Sequence, residues 1–485
     1  MRLSVLNNLK PGTSDPDIAG LAMDSRQVRP GYLFAALSGS HAEGASYIRD
    51  AIKNGAAALL VPAGTSLPVE AGGLAVIESG EPNRALSLMA ARFYGGQPDH
   101  VVAGTGTNGK TSTVHFTQQL WAMRGLKSAS LGTIGIHGAG IDRPGTMTTP
   151  DCITLQAQLA ALAEDGITHL AMEASSHGLR QARLDGVRVA AAGFTNLTRD
   201  HLDYHLTMEE YLSAKTRLFE TVLQPGGIAV LNADVDAFAA LEAACAGRHI
   251  TVWSYGAKGR EFQLLEREPT PQGQALRLRI FGVEHRLTLP LVGAFQAMNA
   301  LCALGLAMAA DRDGDYLTGL ENLQGAPGRL QLVAGHPQGA AVYVDYAHTP
   351  DALSNILGAL RPHTEGRLFC LFGCGGDRDP GKRPMMGKIV AEEADVVIIT
   401  DDNPRSEDPA KIRAAIAAGA GSDALVIDGR RAAIEWAVKE LKRGDVLVLA
   451  GKGHEQGQIF ADRTEPFDDV EEARRAMNRL TGKMQ

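Results

Sequence analysis

Residues 101–115 read VVAGTGTNGKTSTVH. Within them, Gly104-Thr-Gly-Thr-Asn-Gly109-Lys110-Thr111 sets a glycine, four residues and Gly-Lys-Thr between an apolar strand-like run and the start of a helix. That pattern constrains the fold more than any other stretch of the chain. A loop of this kind lets the backbone curl until its N–H groups converge on phosphate oxygens, and it needs a strand before it and a helix after it. The lysine reaches the outer phosphates, the threonine hydroxyl can meet Mg²⁺, and the helix N-terminus adds a favourable dipole. Gly106, Thr107, Asn108, Gly109, Lys110, Thr111 and Ser112 are therefore the expected contacts of a nucleoside triphosphate, ATP or GTP.

At 485 residues the chain exceeds a single hydrophobic core. Abundant glycine (55) and few aromatics (5%) suit an α/β protein with many tight strand–helix turns. A formal charge of −8 argues against nucleic acid as the main partner. The five cysteines are scattered and form no CxxC pair, which fits a reducing compartment. No stretch is long and apolar enough for a membrane span. The expectation is a cytoplasmic monomer acting on small molecules.

Three blocks emerge. Residues 1–97 carry short apolar strands (32–37, 57–61, 74–77) and end at the turn-rich Gly-Gly-Gln-Pro stretch 95–98. Residues 98–328 alternate strands (101–103, 167–173, 191–196) with helices, Thr149-Pro150 opening one of them, and predict a parallel sheet with helices on both faces. Residues 329–485 have their own βα rhythm, with strands at 341–345, 368–372, 396–400, 424–427 and 446–450. Gly373-Cys-Gly-Gly376 falls short of a GxGxxG fingerprint, so this third block reads as Rossmann-like without a nicotinamide site.

Polar clusters follow the expected strands, where ligands gather in open α/β sheets. Glu173 ends one strand and is placed to hold the Mg²⁺ that Thr111 also touches. Asp200-His201-Leu-Asp203-Tyr-His205 is compatible with a metal shell and equally with a polar loop. Lys215 falls on the apolar stripe of a helix expected over 208–223. Spacing alone favours a snorkelling lysine, while burial would give a neutral amine able to take up CO₂ as a carbamate. In the third block, Arg378, Asp402-Asn403-Pro404-Arg405 and Gly451-Lys-Gly-His-Glu455 follow three different strands. Arginine forks grip carboxylates and the acids can face an ammonium, so together they describe a zwitterion site.

These residues, taken together, resemble the Mur ligase family, the ATP-dependent amide-bond-forming enzymes of bacterial cell-wall synthesis, over essentially the whole chain. The resemblance implies three domains: an N-terminal UDP-binding domain, a central ATP-binding domain and a C-terminal amino-acid-binding domain. It makes Lys110, Glu173, His201 and Lys215 catalytic, with Thr111, Glu173, His201 and a carbamylated Lys215 (N6-carboxylysine) around Mg²⁺. It adds Asn299, Arg329, Asp345 and His348 to the nucleotide contacts. Asp402-Asn-Pro-Arg405 is similar to the motif of members that add meso-diaminopimelate to UDP-N-acetylmuramoyl-L-alanyl-D-glutamate. Arg378, Gly451 and Glu455 are implied alongside it. Ser25, Ser40, His41, Thr148, Thr149, Ser175, Gln181 and Arg183 match contacts to the UDP-muramoyl peptide. The implied reaction proceeds through an acyl phosphate, with closure of the third domain keeping water out. Gln296 and Met147 depart from the family pattern, each standing where relatives have Asn. Rival readings are a lysine-adding or folylpolyglutamate ligase of the same architecture, a GTPase switch (without its Asn-Lys-x-Asp motif here), and a non-catalytic nucleotide-binding scaffold.

Overall fold

A computed structural model of the chain describes every residue except 9–13, 38–43, 146, 312–313 and 483–485, with backbone alone at 202–203. The chain is α/β, as expected, and divides into two compact units: Met1–Ser254 with Gly305–Gly314, and Tyr255–Leu304 with Asp315–Gln485.

The first unit opens with a parallel four-stranded sheet in the order Gly20–Ala22, Tyr32–Ala35, Ala58–Pro62, Ala75–Ser79. Its strands are short because their apolar runs are short, and Leu33, Leu59 and Leu60 are fully buried. The helix Pro82–Tyr94 begins with proline at its first turn, where the missing N–H has no intrahelical partner to lose.

The larger sheet of this unit runs in the order Leu223–Asn232, Val189–Phe194, His100–Thr105, His169–Glu173, Ser128–Gly132, all parallel. Two short antiparallel strands, Gly135–Gly138 and Ile141–Arg143, extend it. The continuous burial of Val101–Ala103 and Leu170–Met172 explains why these strands read as apolar runs rather than alternations: helices cover both faces. The register pairs Gly104 with Glu173 and Thr105 with Phe194, so three strands end level with one another where the phosphate loop begins. The carboxyl-end crevice thus follows from strand pairing.

Two local expectations are corrected. The helix expected to open at Thr149-Pro150 runs Cys152–Glu164, and Asp151 caps it by accepting the Ile153 and Thr154 N–H groups. A short carboxylate placed two residues later satisfies those orphan donors better than the threonine does. The helix expected over 208–223 is α-helical at Met208–Arg217 and widens to a π-turn over Leu218–Val222.

In the second unit the expectation of strand–helix alternation up to residue 328 fails. Phe262–Thr270, Gly273–Ile280 and Val283–Leu289 form an antiparallel meander. Its middle strand alternates buried and half-buried residues, with period two, as a sheet packed on one face requires. The six-stranded sheet follows, ordered Gln331–Val333, Ala341–Asp345, Val446–Ala450, Leu368–Phe372, Val396–Ile399, Leu425–Val426, parallel except for the first strand. One face packs Tyr343, Cys370 and Val448 beneath the helix Pro350–Leu360. The other packs Val344, Leu371 and Leu449 beneath Arg430–Glu440 and Asp469–Leu480. This doubly covered parallel sheet is the Rossmann-like domain expected there. All five cysteines are free and buried; Cys374 lies 3.5 Å from the Met386 sulfur, and burial pushes its thiol up to about 12. Among the described residues no helix is long and apolar enough to cross a membrane.

Arg430 and Asp469 form a fully buried ion pair across this second core, at 2.7 and 2.6 Å, and Arg430 also donates to the Ala450 carbonyl at 3.0 Å. Removing one partner strands a charge in a low-dielectric interior. Asp469→Asn is expected to lower the stability of this unit by about 3 kcal/mol, read as a lower urea midpoint for its unfolding transition. An unchanged midpoint would refute the account.

Candidate active site

The phosphate loop is shaped by steric necessity. Gly106 (φ 149°) and Gly109 (φ 84°) occupy conformations that favour glycine, and a Cβ on Gly106 would fall 1.9 Å from the Thr195 hydroxyl. The segment after strand Val189–Phe194 braces the loop from outside. Asn196 accepts from the Asn108 N–H at 2.9 Å through its side chain and from the Thr107 N–H at 2.9 Å through its carbonyl. Thr107 exchanges bonds with Thr198, and Asn108 accepts from the Thr195 hydroxyl at 2.6 Å. The Lys110 ammonium curls over the loop onto the carbonyls of Gly106 (2.9 Å) and Thr107 (2.7 Å), while Thr111 and Ser112 sit buried in the first turn of helix Lys110–Met123.

Glu173, at the end of its strand and 1% exposed, binds the loop to its surroundings. Its carboxylate accepts from the Thr111 hydroxyl (3.0 Å), the Thr133 N–H (2.8 Å) and the Thr133 hydroxyl (3.2 Å). The Thr133 hydroxyl also lies 2.9 Å from that of Thr148. Beyond it, Thr149 donates to the Glu173 carbonyl and accepts from the Ser175 N–H, and Arg183 donates to the Thr149 carbonyl (2.6 Å) and the Gln181 side chain. Thr149, Ser175, Gln181 and Arg183 are thus one hydrogen-bonded group, which Thr148 joins through Thr133 and Glu173. Met147, one of the two departures, places its sulfur 3.8 Å from Arg183, so a thioether contact stands there. Ser25 is held elsewhere in the fold, buried at the start of the turn Ser25–Gln27 with its carbonyl accepting from Asn54. Ser40 and His41 lie outside the described residues.

Lys215 corrects the snorkelling expectation: its side chain is 1% exposed, and its ammonium donates to the Gly106 carbonyl at 2.7 Å, 4.3 Å above the Tyr211 ring. Burial, reinforced by the nearby Lys110 charge, holds its pKa well below the usual lysine value. That shift favours the neutral amine over the charged form. Around it lies a nest of rings, with His177 packed 4.0 Å from Tyr204 and 5.1 Å from His201. His205 is buried there, and desolvation pulls its pKa down to about 4. His201 has a left-handed backbone (φ 52°) and a half-open side chain 3.5 Å from Asp200. Among the described residues no cluster of three or more His, Cys, Asp and Glu side chains is arranged as a metal shell; the Asp203 side chain lies outside the described residues.

The second unit gathers its own polar groups at the carboxyl ends of its strands. Asp345 is buried and accepts from the Leu330 and Ala347 N–H groups, both at 2.8 Å. Burial raises its pKa, against the pull of Arg329. The Arg329 guanidinium lies 4.9 Å above the Tyr346 ring, and His348 stands 4.7 Å from the same ring. Asn299 donates to the other departure, Gln296, at 3.0 Å across one helical turn.

Nearby in this unit, Asn403 donates to Glu455 at 2.8 Å, and the Asp402 carboxylate lies against Gly451, where a Cβ would stand 2.7 Å from its oxygen. Pro404 turns its carbonyl against Gly376, and Arg405, in a left-handed conformation (φ 51°), donates to the Gly376 carbonyl at 2.8 Å. Arg378 is exposed and bonds only to its neighbour's carbonyl among its described hydrogen bonds. Asp402, Asn403, Pro404, Arg405, Gly451 and Glu455 therefore converge, with Arg378 at the rim. Thr133, Asn196, Tyr346 and Lys452 belong to these networks and were not foreseen. Each owes its place to contacts between segments distant in sequence. Lys452 and Tyr346 had a signal, lying between Gly451 and Glu455 and between Asp345 and His348.

Comparisons with known proteins agree with this geometry. The sequence signature described as the Mur ligase middle domain matches residues 105–307, that of the Mur ligase glutamate ligase domain matches 328–453, and that of the Mur ligase family catalytic domain matches 17–94. A UDP-N-acetylmuramoyl-L-alanyl-D-glutamate–2,6-diaminopimelate ligase of Caulobacter vibrioides is 52% identical over 98% of both chains. The same-named ligase of a Chelativorans species is 50% identical, over 96% of this chain and 95% of its own. A solved structure of a ligase of that name superposes with a TM-score of 0.75 at 32% identity, covering 99% of both chains. The chain belongs to the Mur ligase family. It is an ATP-dependent ligase of the amide-bond-forming class.

Gly132 precedes Thr133, and a Cβ there would lie 2.1 Å from the Glu173 Oε1 atom. Gly132→Ala is therefore expected to displace Glu173 and lower ATP-dependent turnover roughly a hundredfold, the cost of about 1 Å of misplacement at a reacting centre. Phosphate release checks this, with circular dichroism confirming the retained fold; full turnover would overturn it.

Proposed function

We propose that this chain adds meso-2,6-diaminopimelate to UDP-N-acetylmuramoyl-L-alanyl-D-glutamate, using ATP and Mg²⁺, in the cytoplasmic synthesis of peptidoglycan precursors. The observation that carries the reading is the charged nest of Asp402, Asn403, Arg405 and Glu455 around Gly451, which offers acids to an ammonium and a guanidinium to a carboxylate. The names of relatives about half identical over nearly the whole chain support the same substrates.

In the reaction, the side-chain carboxylate of the D-glutamyl residue attacks the γ-phosphorus of ATP and ADP departs, leaving an acyl phosphate. The amine of diaminopimelate then attacks the acyl carbon, loses a proton, and phosphate leaves. Little covalent work falls to the protein, so positioning and charge neutralisation dominate. The N–H groups of Gly106–Thr111 and the Lys110 ammonium receive the phosphate oxygens. The group of Thr148, Thr149, Ser175, Gln181 and Arg183 holds the muramoyl peptide, with Ser25, Ser40 and His41 toward its UDP end. Asn299, Arg329, Asp345 and His348 serve the nucleotide.

The Thr111 hydroxyl and Glu173 carboxylate, 3.0 Å apart, are hard oxygen donors of the kind Mg²⁺ takes. His201 and a carbamylated Lys215 would serve a further Mg²⁺. When bound, Mg²⁺ neutralises charge on the phosphate oxygens. Burial of Lys215 favours the neutral amine, the form that reacts with CO₂. Its carbamate would place an anion beside the loop, where the Lys215 side-chain nitrogen now meets the Gly106 carbonyl. Lys215→Ala is expected to be nearly inactive, with partial recovery in millimolar acetate or formate. Absence of any recovery, with Lys215 unmodified by mass spectrometry of the native protein, would overturn the carbamate.

The deciding experiment compares amino acids. Charge-assisted bonds from Arg405 to the far carboxylate are worth about 1.5–3 kcal/mol each, so diaminopimelate should exceed lysine by at least roughly a hundredfold in kcat/KM. Arg405→Ala should lose most of that preference with the KM for ATP unchanged. Equal use of both amino acids by the unaltered enzyme would sink the assignment and favour a lysine-adding ligase.

A further inference from the structure

Lys452 follows strand Val446–Ala450 between two glycines, and its side chain has no exposure to solvent. A buried ammonium is costly unless its donors are satisfied, and here all three have partners: the Gly457 carbonyl at 2.7 Å, the Asn403 side-chain oxygen at 3.0 Å and the Glu455 carboxylate at 3.3 Å. Asn403 closes the triangle by donating to the same Glu455 oxygen at 2.8 Å and accepting from the Ile459 N–H at 3.0 Å. The Glu455 side chain keeps about a third of its surface open, at 34%, whereas Lys452 keeps none. An incoming ammonium can therefore meet Glu455 and not Lys452. Two acids, Asp402 and Glu455, are matched inside this nest by two cations, Lys452 and Arg405, with Arg378 exposed at its rim.

We propose that Lys452 is a positioning and selectivity residue for the amino-acid substrate. It fixes Glu455 and Asn403 in place and offsets one of the two carboxylates, so that the nest receives a zwitterion with a second carboxylate rather than a purely cationic end. This rests on the functional reading above. With the charge of Lys452 removed, the nest is one charge more acidic around Glu455, which penalises diaminopimelate and favours lysine.

The test uses the full-length enzyme and its Lys452→Met variant, each assayed with meso-diaminopimelate and with L-lysine. In the variant the KM for diaminopimelate should rise at least about tenfold and the diaminopimelate-to-lysine ratio of kcat/KM should fall by a similar factor, while the KM values for ATP and the UDP-muramoyl dipeptide stay within about twofold. A purely structural lysine would move all substrates together. Because Lys452 acts through Glu455, the double variant Lys452→Met/Glu455→Gln should be no worse for diaminopimelate than Glu455→Gln alone. If Lys452→Met does not fold, Lys452→Gln, which keeps N–H donors without the charge, is carried through the same measurements. An unchanged selectivity ratio, parallel losses for every substrate, or additive effects in the cycle would overturn the proposal. Unaltered enzyme that does not prefer diaminopimelate would overturn the functional reading and this proposal with it. Unaltered enzyme that prefers diaminopimelate beside an unaffected Lys452→Met overturns this proposal alone.

Discussion

A carboxylate buried at the end of a strand must be hydrogen-bonded or neutralised, and much of the first unit is arranged around that requirement at Glu173. Its partners come from two places: Thr111 in the phosphate loop, and Thr133 after the neighbouring strand, through both its amide and its hydroxyl. The strand register that brings Gly104 beside Glu173 is what makes those bonds possible. Through Thr133 and Thr148 the same acid is linked to the threonine–arginine group that we assign to the muramoyl peptide. A single buried residue thus couples the phosphate loop to that threonine–arginine group, and glycine at 132 is the condition for its fit.

The second unit solves a comparable problem with a network rather than a single acid. Asp345 is satisfied by backbone N–H groups, Arg430 by Asp469, and Lys452 by Asn403, Glu455 and a carbonyl. Buried polar networks of this kind are stable only when every member is satisfied. The glycines Gly328, Gly451 and Gly453 let loops approach one another closely enough to do so: a Cβ on Gly328 would lie 2.3 Å from the His454 nitrogen.

Much of the architecture was legible because its signals are local. Apolar runs bounded by turns predicted the parallel strands of the six-stranded sheet and three of the five in the first unit's larger sheet, missing Ser128–Gly132 and Leu223–Asn232, and the Gly-Lys-Thr loop predicted the strand–loop–helix unit around it. The antiparallel meander of Phe262–Leu289 was not foreseen, since the strand–helix rhythm on either side was extended across it. The cap of helix Cys152–Glu164 moved from Thr149 to Asp151 because two competent capping residues stand close together and only backbone geometry chooses between them.

For the site, residue types and their places after strands were readable from the chain alone, and so was the family. What the chain could not decide was burial. Spacing put Lys215 on an apolar stripe, and that stripe is equally consistent with an ammonium reaching water; packing beneath the loop encloses it and lowers its pKa. Lys452 is the same case, a lysine between glycines that only the convergence of loops from two strands turns into a satisfied, buried cation. The amino-acid sequence by itself determined the strand–helix order, the phosphate loop and the chemical groups available at each strand end. Tertiary structure decided which of those groups meet and which lose their water, because register and desolvation are properties of neighbours brought together from distant parts of the chain.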